Sequence, residues 1–192
     1  SDTGYSVLKK SKVSKCIMVG HSMGGYVTLA FAAKYPSMLK GFGLFHSHCF
    51  ADSPEEAEVR NRTIALVEKD KFGFMAQFIP GLFPPAAHKK FSAEIKRLIQ
   101  RASKMEKESV TAVLEGMKIR ADHLTTLQET RLPVLFIIGQ ADPKAPLSRL
   151  WEMVSAPSVS RLLLLKTCGH MGYLEEPDEC LDAIRDFARS YL

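Results

Sequence analysis

The amino-acid sequence predicts an α/β fold built on a mainly parallel, doubly wound sheet with an inserted helical segment. Apolar runs of strand length alternate with apolar patterns at helical spacing in residues 1–47 and 131–192, and such alternation favours parallel strands joined by helices. Residues 48–130 differ, because they carry proline clusters, more charge and several short helical patterns. We therefore predict a core of residues 1–47 and 131–192 with a helical insertion at 48–130.

Composition excludes several classes of protein. The chain has 192 residues, of which 46% are hydrophobic and 24% charged, as expected of one soluble globular domain. No apolar run approaches the roughly 18 residues of a membrane span and no signal peptide is visible, so we expect a cytoplasmic protein. The net charge is +5, but basic and acidic residues alternate along helices, which favours solvated faces over nucleic-acid binding. Four cysteines without paired spacing are predicted to be free thiols: Cys16, Cys49, Cys168 and Cys180.

The first predicted elements surround a serine. Residues 5–10 have the pattern of a helix end, and a buried strand follows at about 15–19. A Gly-x-Ser-x-Gly motif centred on Ser22 then leads into apolar residues at helical spacing. A turn this tight between strand and helix leaves no room for side chains beside the serine, so Gly20 and Gly24 are predicted to be needed there. The Ser22 hydroxyl is then exposed above the sheet.

A second strand and the insertion come next. The long helix ends before Pro36, which cannot continue it, and residues 39–47 form a second buried strand. In the insertion, Ser53 caps a helix that runs to about Asp70. The aromatic stretch 72–83 contains a short helix, which forms either the core of the insertion or a wall of a ligand pocket. Two further amphipathic helices are predicted around residues 91–99 and 110–117.

Regular alternation returns in the last third of the chain. Residues 132–139 form a continuous apolar run that suits a strand buried on both faces. Ala145-Pro146 opens a helix that extends to about Val154, residues 161–165 form a fourth strand, and Pro177 begins the last helix. Helices are expected on both faces of the sheet, and the loops at the carboxyl ends of its strands gather at one edge.

Three of these loops carry reactive side chains. Ser22 follows the first strand, Asp142 the third and His170 the fourth. A serine hydroxyl is a poor nucleophile until a base takes its proton, and a histidine does so near neutral pH when a carboxylate holds its tautomer. We therefore predict that the three side chains meet. The alternatives are that Asp142 caps the next helix and that Ser22 and His170 are ordinary turn residues.

With these residues in place, the chain resembles an alpha/beta-hydrolase-fold serine hydrolase with a helical cap. The matching motifs are Gly20-His21-Ser22-Met23-Gly24-Gly25, Gly139 with Asp142 three residues later, and Gly169-His170. The resemblance implies that Ser22 is the nucleophile, Asp142 the acid and His170 the base. It also implies that the backbone N–H of Met23, at a helix N-terminus, stabilises an oxyanion.

The same resemblance implies an activity. It is the hydrolysis of a carboxylic ester or related acyl compound, with a small-molecule acyl substrate and with neither cofactor nor metal. A serine nucleophile argues against dehalogenase and epoxide hydrolase chemistry, whereas perhydrolase, lactonase, thioesterase and C–C hydrolase activities stay open. The alternative is a chain that binds a ligand or partner without turnover. The residues expected at the substrate pocket are His21, His46, Phe74, Phe78 and Met171.

One departure from the family pattern concerns the N-terminal side. Family members have several strands before the strand that leads to the serine, and a loop among them supplies a second oxyanion N–H. Here about 14 residues precede that strand, so the first four strands have no counterpart. The strand is therefore expected at a bare sheet edge, which favours pairing with another chain. We expect either the C-terminal part of a longer hydrolase or a homo-oligomer formed through that edge.

Overall fold

The computed structural model describes residues 1–145 and 147–192, which form two compact units. The first unit is Ser1–Phe50 with Asp122–Leu192, and the second is Ala51–Ala121. Pro146, which the sequence analysis placed at the start of a helix, lies outside the described residues.

The first unit contains one four-stranded sheet. All neighbouring strands pair in parallel, in the order β1-β2-β3-β4, which confirms the predicted mainly parallel sheet. The strands are β1 (Cys16–His21), β2 (Leu39–Phe45), β3 (Val134–Gly139) and β4 (Ser160–Leu165). Every residue of β3 is buried, as its continuous apolar run predicted. β1 is an edge strand of this sheet, whereas pairing of that edge with another chain stays a prediction.

The α-helices follow the order expected from the alternating pattern. They are α1 (Asp2–Lys10), α2 (Met23–Lys34), α3 (Pro54–Phe78), α4 (Ser92–Ser103), α5 (Lys107–Lys118), α6 (Leu124–Glu129), α7 (Leu150–Val154), α8 (Gly172–Glu175) and α9 (Pro177–Tyr191). Within the described residues, none of them combines the length and the apolar character that a membrane crossing requires. The short helices α6 and α8 were not predicted.

The two faces of the sheet carry separate cores, because side chains alternate along each strand. Phe136 and Ile138 of β3 pack in one cluster with residues of α2, α6 and α7. Leu135 and Ile137 pack in the other with Phe187 of α9. Helices therefore cover both faces, as in the predicted doubly wound arrangement.

The second unit is helical. Ser53 accepts a hydrogen bond from the Glu56 backbone, and the Glu56 side chain accepts one from the Ser53 backbone, so the predicted cap of α3 is confirmed. The backbone leaves helical geometry at Asp70 (φ −151°, ψ 83°), where the sequence predicted one helix to end and an aromatic one to begin. Near the N-terminus of α3, the buried Asp52 carboxylate pairs with Arg60 and Arg120.

The helix α6 belongs to the first unit. Leu127 has no exposed surface and lies in the same core cluster as Phe136, and the His123 N–H donates to the Cys49 carbonyl. The predicted insertion, 48–130, thus extends beyond the second unit at both ends. The role of the second unit as a cap stays a proposal.

Candidate active site

Ser22 lies in the turn between β1 and α2. Its backbone has φ 52° and ψ −120°, a left-handed conformation that costs a residue with a side chain roughly 1–3 kcal/mol. Two hydrogen bonds hold the turn: Ser22 N–H donates to the Phe45 carbonyl at 2.8 Å, and Gly25 N–H donates to the Ser22 carbonyl at 2.9 Å. The strained conformation is therefore fixed by the neighbouring strand and by the first turn of the helix.

Close packing around this turn depends on Gly20 and Gly25. A Cβ on Gly20 would overlap the Gly24 carbonyl, and one on Gly25 would overlap the Ser47 side chain. A Cβ on Gly24 would meet nothing within 4 Å. The expectation that Gly24 is sterically needed was wrong, because its missing side chain would point into open space.

Alanine substitutions at two of these glycines are expected to differ in stability. Gly20→Ala should lower the free energy of unfolding by about 1–3 kcal/mol, because its methyl group overlaps backbone that cannot move freely. Gly24→Ala, inside a helix, should leave the stability unchanged or slightly raised. Urea unfolding of both variants measures the difference. Equal destabilisation by the two substitutions would contradict this account of the turn.

Ser22, His170 and Asp142 form a chain of hydrogen bonds. Ser22 Oγ lies 2.9 Å from His170 Nε2, and His170 Nδ1 lies 2.7 Å from Asp142 Oδ2. The two residues behind the serine are buried, with 5% of His170 and 4% of Asp142 exposed. The structure therefore brings together the three side chains that the sequence placed on three different loops.

The chemistry of the groups determines where the protons lie. An ionised carboxylate only accepts hydrogen bonds, so His170 Nδ1 donates to Asp142. In a neutral imidazole the other nitrogen is then an acceptor, and the Ser22 hydroxyl donates to His170 Nε2. This is the tautomer in which a histidine can take a proton from a serine.

The Asp142 carboxylate is held at both oxygens. Oδ1 accepts the Lys144 N–H at 2.7 Å, while Oδ2 accepts from His170. Burial disfavours the charged carboxylate, but the hydrogen bonds from His170 and from the Lys144 backbone outweigh burial and keep the pKa of Asp142 below its usual value. Asp142 thus accepts a hydrogen bond from the turn that follows it and binds His170 at the same time.

His46 packs behind Asp142. Its Nδ1 lies 3.3 Å from Asp142 Oδ2 and 3.2 Å from the Gly139 nitrogen, which donates to it. Its side chain has no exposed surface, its backbone is left-handed at φ 47°, and its Nε2 has no hydrogen-bond partner among the described residues. The sequence analysis named His46 only as a pocket residue and did not foresee its contact with Asp142, because that contact joins the ends of β2 and β3.

His21 holds the backbone of the loop that carries His170. Its Nε2 lies 2.8 Å from the His170 carbonyl oxygen, which can only accept, so Nε2 donates. Burial lowers the pKa of His21 from 6.5 to about 4, and the ring is therefore neutral at pH 7. The neutral ring thus serves as a hydrogen-bond donor that holds this loop.

The lowered pKa of His21 predicts a loss of stability in acid. The unfolded chain, with an ordinary pKa of 6.5, takes up the proton before the folded chain does, so stability falls as the pH drops from 6.5 towards 4. At pH 4.5 this amounts to about 2–3 kcal/mol. We expect His21→Gln, which keeps a donor for the His170 carbonyl, to lose that much less between pH 7 and 4.5 in urea unfolding. Parallel losses in both proteins would contradict the assignment.

Glu175 contacts the residues on both sides of His170. Its Oε2 accepts the Gly169 N–H at 2.9 Å and its Oε1 accepts the Met171 N–H at 3.0 Å. The sequence analysis missed this residue, because Glu175 and Glu176 before Pro177 look like the solvated start of a helix. Nothing in the residue pattern indicates that Glu175 is buried.

The other predicted site residues are placed as follows. Met23 is the first residue of α2, so its N–H lies outside the ladder of intrahelical hydrogen bonds. Met171 is 5% exposed. Phe74 and Phe78 lie in the second unit on α3, where their rings stack at 5.3 Å between centroids. The assignment of His21, His46, Phe74, Phe78 and Met171 to a substrate pocket stays a prediction.

One group of described side chains has the composition of a metal site. Ligand atoms of His46, Asp142 and His170 lie within 4.8 Å of one another. These atoms are, however, already engaged in the hydrogen bonds from His170 to Asp142 and from Gly139 to His46. Metal binding would therefore take apart the pair that holds His170, and we keep the expectation of no metal.

The four cysteines are free thiols, as predicted. Cys168 lies two residues before His170, and burial together with the nearby Glu175 carboxylate raises its thiol pKa. Burial also raises the pKa of Cys180 to about 11. Neither thiol is therefore activated as a nucleophile.

Comparison with known proteins gives a family match over nearly the whole chain. A model described as the alpha/beta hydrolase family matches residues 5–183. Pimeloyl-(acyl-carrier protein) methyl ester esterase of Aromatoleum aromaticum is 27% identical over 187 residues, which cover 90% of this chain and 74% of that protein. Lipase 1 of Psychrobacter immobilis is 26% identical, with 93% of this chain and 57% of the lipase covered.

Solved structures show the same similarity. A thermophilic esterase from Thermogutta terrifontis superposes with a TM-score of 0.89 at 30% identity, covering 96% of this chain and 69% of that one. An enol-lactonase from Burkholderia xenovorans, at 20% identity and a TM-score of 0.85, shares the fold. The chain spans 57% to 74% of the two curated relatives, and so less than two thirds of the lipase.

Proposed function

The chain belongs to the alpha/beta hydrolase family, and from that premise we propose that it cleaves carboxylic esters through an acyl-enzyme on Ser22. The observation that carries the proposal is the hydrogen-bonded chain from Ser22 Oγ through His170 to Asp142, at 2.9 and 2.7 Å. A hydroxyl, an imidazole in the accepting tautomer and a buried carboxylate are the groups needed to activate a serine.

Acylation would begin with a proton transfer from Ser22 Oγ to His170 Nε2 as the oxygen attacks the ester carbonyl. The imidazolium formed in this step is stabilised by Asp142, whose pKa stays below its usual value and which therefore remains ionised. His170 Nε2 then donates its proton to the departing alkoxide, the alcohol leaves, and the acyl group stays on Ser22.

Deacylation would repeat these steps with water. His170 Nε2 takes a proton from water as its oxygen attacks the acyl carbonyl, and the same proton returns to Ser22 Oγ when the acid leaves. The hydroxyl, the base and the acid are regenerated. Because side chains and backbone donors suffice for both half-reactions, no cofactor is expected.

The charge on the carbonyl oxygen would be stabilised by the Met23 N–H. Met23 directly follows Ser22 and is the first residue of α2, so its N–H belongs to the positive end of the helix dipole. The strained backbone of Ser22 orients both the hydroxyl and this N–H. Strain at this residue is thus consistent with a catalytic role.

The proposed substrate is a carboxylic ester. The relatives include an esterase and a lipase, whose names describe ester hydrolysis, although their percentage identities leave the acyl group open. Nitrophenyl esters of increasing acyl length measure the preference directly. The acyl length with the highest kcat/KM identifies the preferred substrate.

Fluorophosphonate labelling followed by intact mass spectrometry tests the proposal. We expect one adduct on the folded protein at neutral pH, none on Ser22→Ala, and an undiminished adduct on Ser47→Ala. Ser47 is a suitable control because it is buried beside Gly25 and has no hydrogen-bonded base among the described residues. Absence of labelling, or equal labelling of Ser22→Ala, would instead favour a chain that binds a ligand or partner without turnover.

A further inference from the structure

Two backbone N–H groups of the loop that carries His170 lie outside helices and strands, and the Glu175 side chain accepts a hydrogen bond from each. The N–H groups immediately before and after His170, on Gly169 and Met171, each donate to one oxygen of the Glu175 carboxylate, at 2.9 and 3.0 Å. Buried N–H groups without partners cost free energy, so these two hydrogen bonds stabilise the loop. One side chain thereby holds the backbone on both sides of His170.

The carboxylate of Glu175 is buried without a cation. Only 5% of the residue is exposed, and no basic side chain forms an ion pair with it within the ranges 1–145 and 147–192. Hydrogen bonds from two backbone N–H groups therefore offset the cost of burying this carboxylate. The Glu175 N–H in turn donates to the Met171 carbonyl at 2.9 Å, so helix α8 and the loop close on each other.

We propose that Glu175 is a positioning residue for His170, a role that rests on the proposed function and extends it. Glu175 touches neither Ser22 nor the reacting atoms. It acts on the backbone, together with the His21 Nε2–H that binds the His170 carbonyl at 2.8 Å. The peptide groups around His170 are thus held at the Gly169 N–H, the Met171 N–H and the His170 C=O.

The hold of Glu175 on the backbone matters because the His170 ring must satisfy two distances at once. His170 must place Nε2 at 2.9 Å from Ser22 Oγ while Nδ1 stays at 2.7 Å from Asp142. Without the carboxylate, both N–H groups must find other partners, and the loop moves to do so. A displacement of about 1 Å at a reacting group can cost roughly 100-fold in rate.

Glu175→Gln is the sharpest variant, because it preserves the size of the side chain. A glutamine has one oxygen, which can accept one of the two N–H groups, and it presents its NH₂ donor to the other. We expect kcat for a short nitrophenyl ester to fall by about 10- to 100-fold with KM nearly unchanged. We also expect the low-field NMR signal of the His170 Nδ1 proton, which reports the bond to Asp142, to weaken or disappear.

Phe187→Leu is the matched control for lost stability. Phe187 has no exposed surface and packs from α9 into the apolar core beside Gly41, near the start of β2, whereas Ser22 follows the end of β1. We expect it to lower Tm while leaving kcat and the low-field signal unchanged. If Glu175→Gln, folded at the assay temperature, behaved like this control or changed KM alone, the positioning role would be overturned.

A measurement on the unaltered protein covers the case in which Glu175→Gln does not fold. The amide protons of Gly169 and Met171 are expected to exchange slowly with solvent, because both are bound and buried. Exchange as fast as in an open loop would overturn the proposal. If the unaltered protein formed no fluorophosphonate adduct, the proposed function would fail, whereas amide exchange and the low-field signal would still test the hold of Glu175 on His170.

Discussion

His170→Gln is expected to slow ester hydrolysis by roughly 10⁶-fold, the loss that follows removal of the base from a serine triad. Glutamine fills much of the space of the imidazole, but it cannot take the proton of the Ser22 hydroxyl. In the unaltered protein, Ser22 Oγ lies 2.9 Å from His170 Nε2. Steady-state kcat for a nitrophenyl ester at pH 7 and the rate of fluorophosphonate labelling measure the effect. Both should fall together, because both require the activated hydroxyl.

The control for this substitution is His123→Gln. His123 is partly buried, burial lowers its pKa, and its Nδ1 is hydrogen-bonded to the Thr126 hydroxyl, outside the proposed site. We expect it to retain the activity of the unaltered protein. The double variant Ser22→Ala, His170→Gln should be no slower than Ser22→Ala, because residues that act as a unit are not additive. Additive losses would argue against a shared mechanism.

Asp142→Asn is expected to lower kcat by about 10⁴-fold while the protein stays folded. The carboxylate accepts from His170 Nδ1 at 2.7 Å and so fixes the tautomer in which Nε2 accepts the serine proton. An asparagine can offer its NH₂ to Nδ1 and thereby favour the opposite tautomer. It also removes the charge that stabilises the imidazolium. Hydrolysis rates and urea unfolding together separate the chemical effect from lost stability.

Asp122→Asn is the control that separates the two contacts of Asp142, one with the following turn and one with His170. The Asp122 carboxylate accepts the N–H of Leu124 at 2.8 Å, two residues on, as Asp142 accepts the N–H of Lys144 at 2.7 Å. Both substitutions therefore disturb the same kind of turn, but only Asp142 binds His170. We expect Asp122→Asn to cost stability and no activity. A comparable loss of kcat in both variants would show that the turn, and not the contact with His170, matters.

Hydrophobic patterns that extend over a whole strand or helix made much of the fold predictable. The continuous apolar run of β3 needs burial on both faces, and its residues do alternate between the two cores. The cap at Ser53 and the end of a helix at Asp70 also followed from local chemistry. The helices α6 and α8 were missed, because six and four residues are too few to show a helical period.

The sequence by itself determined which three candidate side chains meet and in what order they occur along the chain. Ser22, Asp142 and His170 each follow a predicted strand, and parallel strands end at one edge, so their meeting could be inferred from chain order. These signals are local or periodic, which is why a single sequence carries them.

Only the tertiary structure decided how the reactive groups are held. That Glu175 binds the backbone around His170, that His46 packs behind Asp142, and that Gly25 and not Gly24 is needed at the turn all depend on which atoms meet across elements. A buried carboxylate and a solvated one have the same letter in the sequence. The packing of α8 against its loop decides that Glu175 is buried. No periodic pattern in the sequence reports such packing.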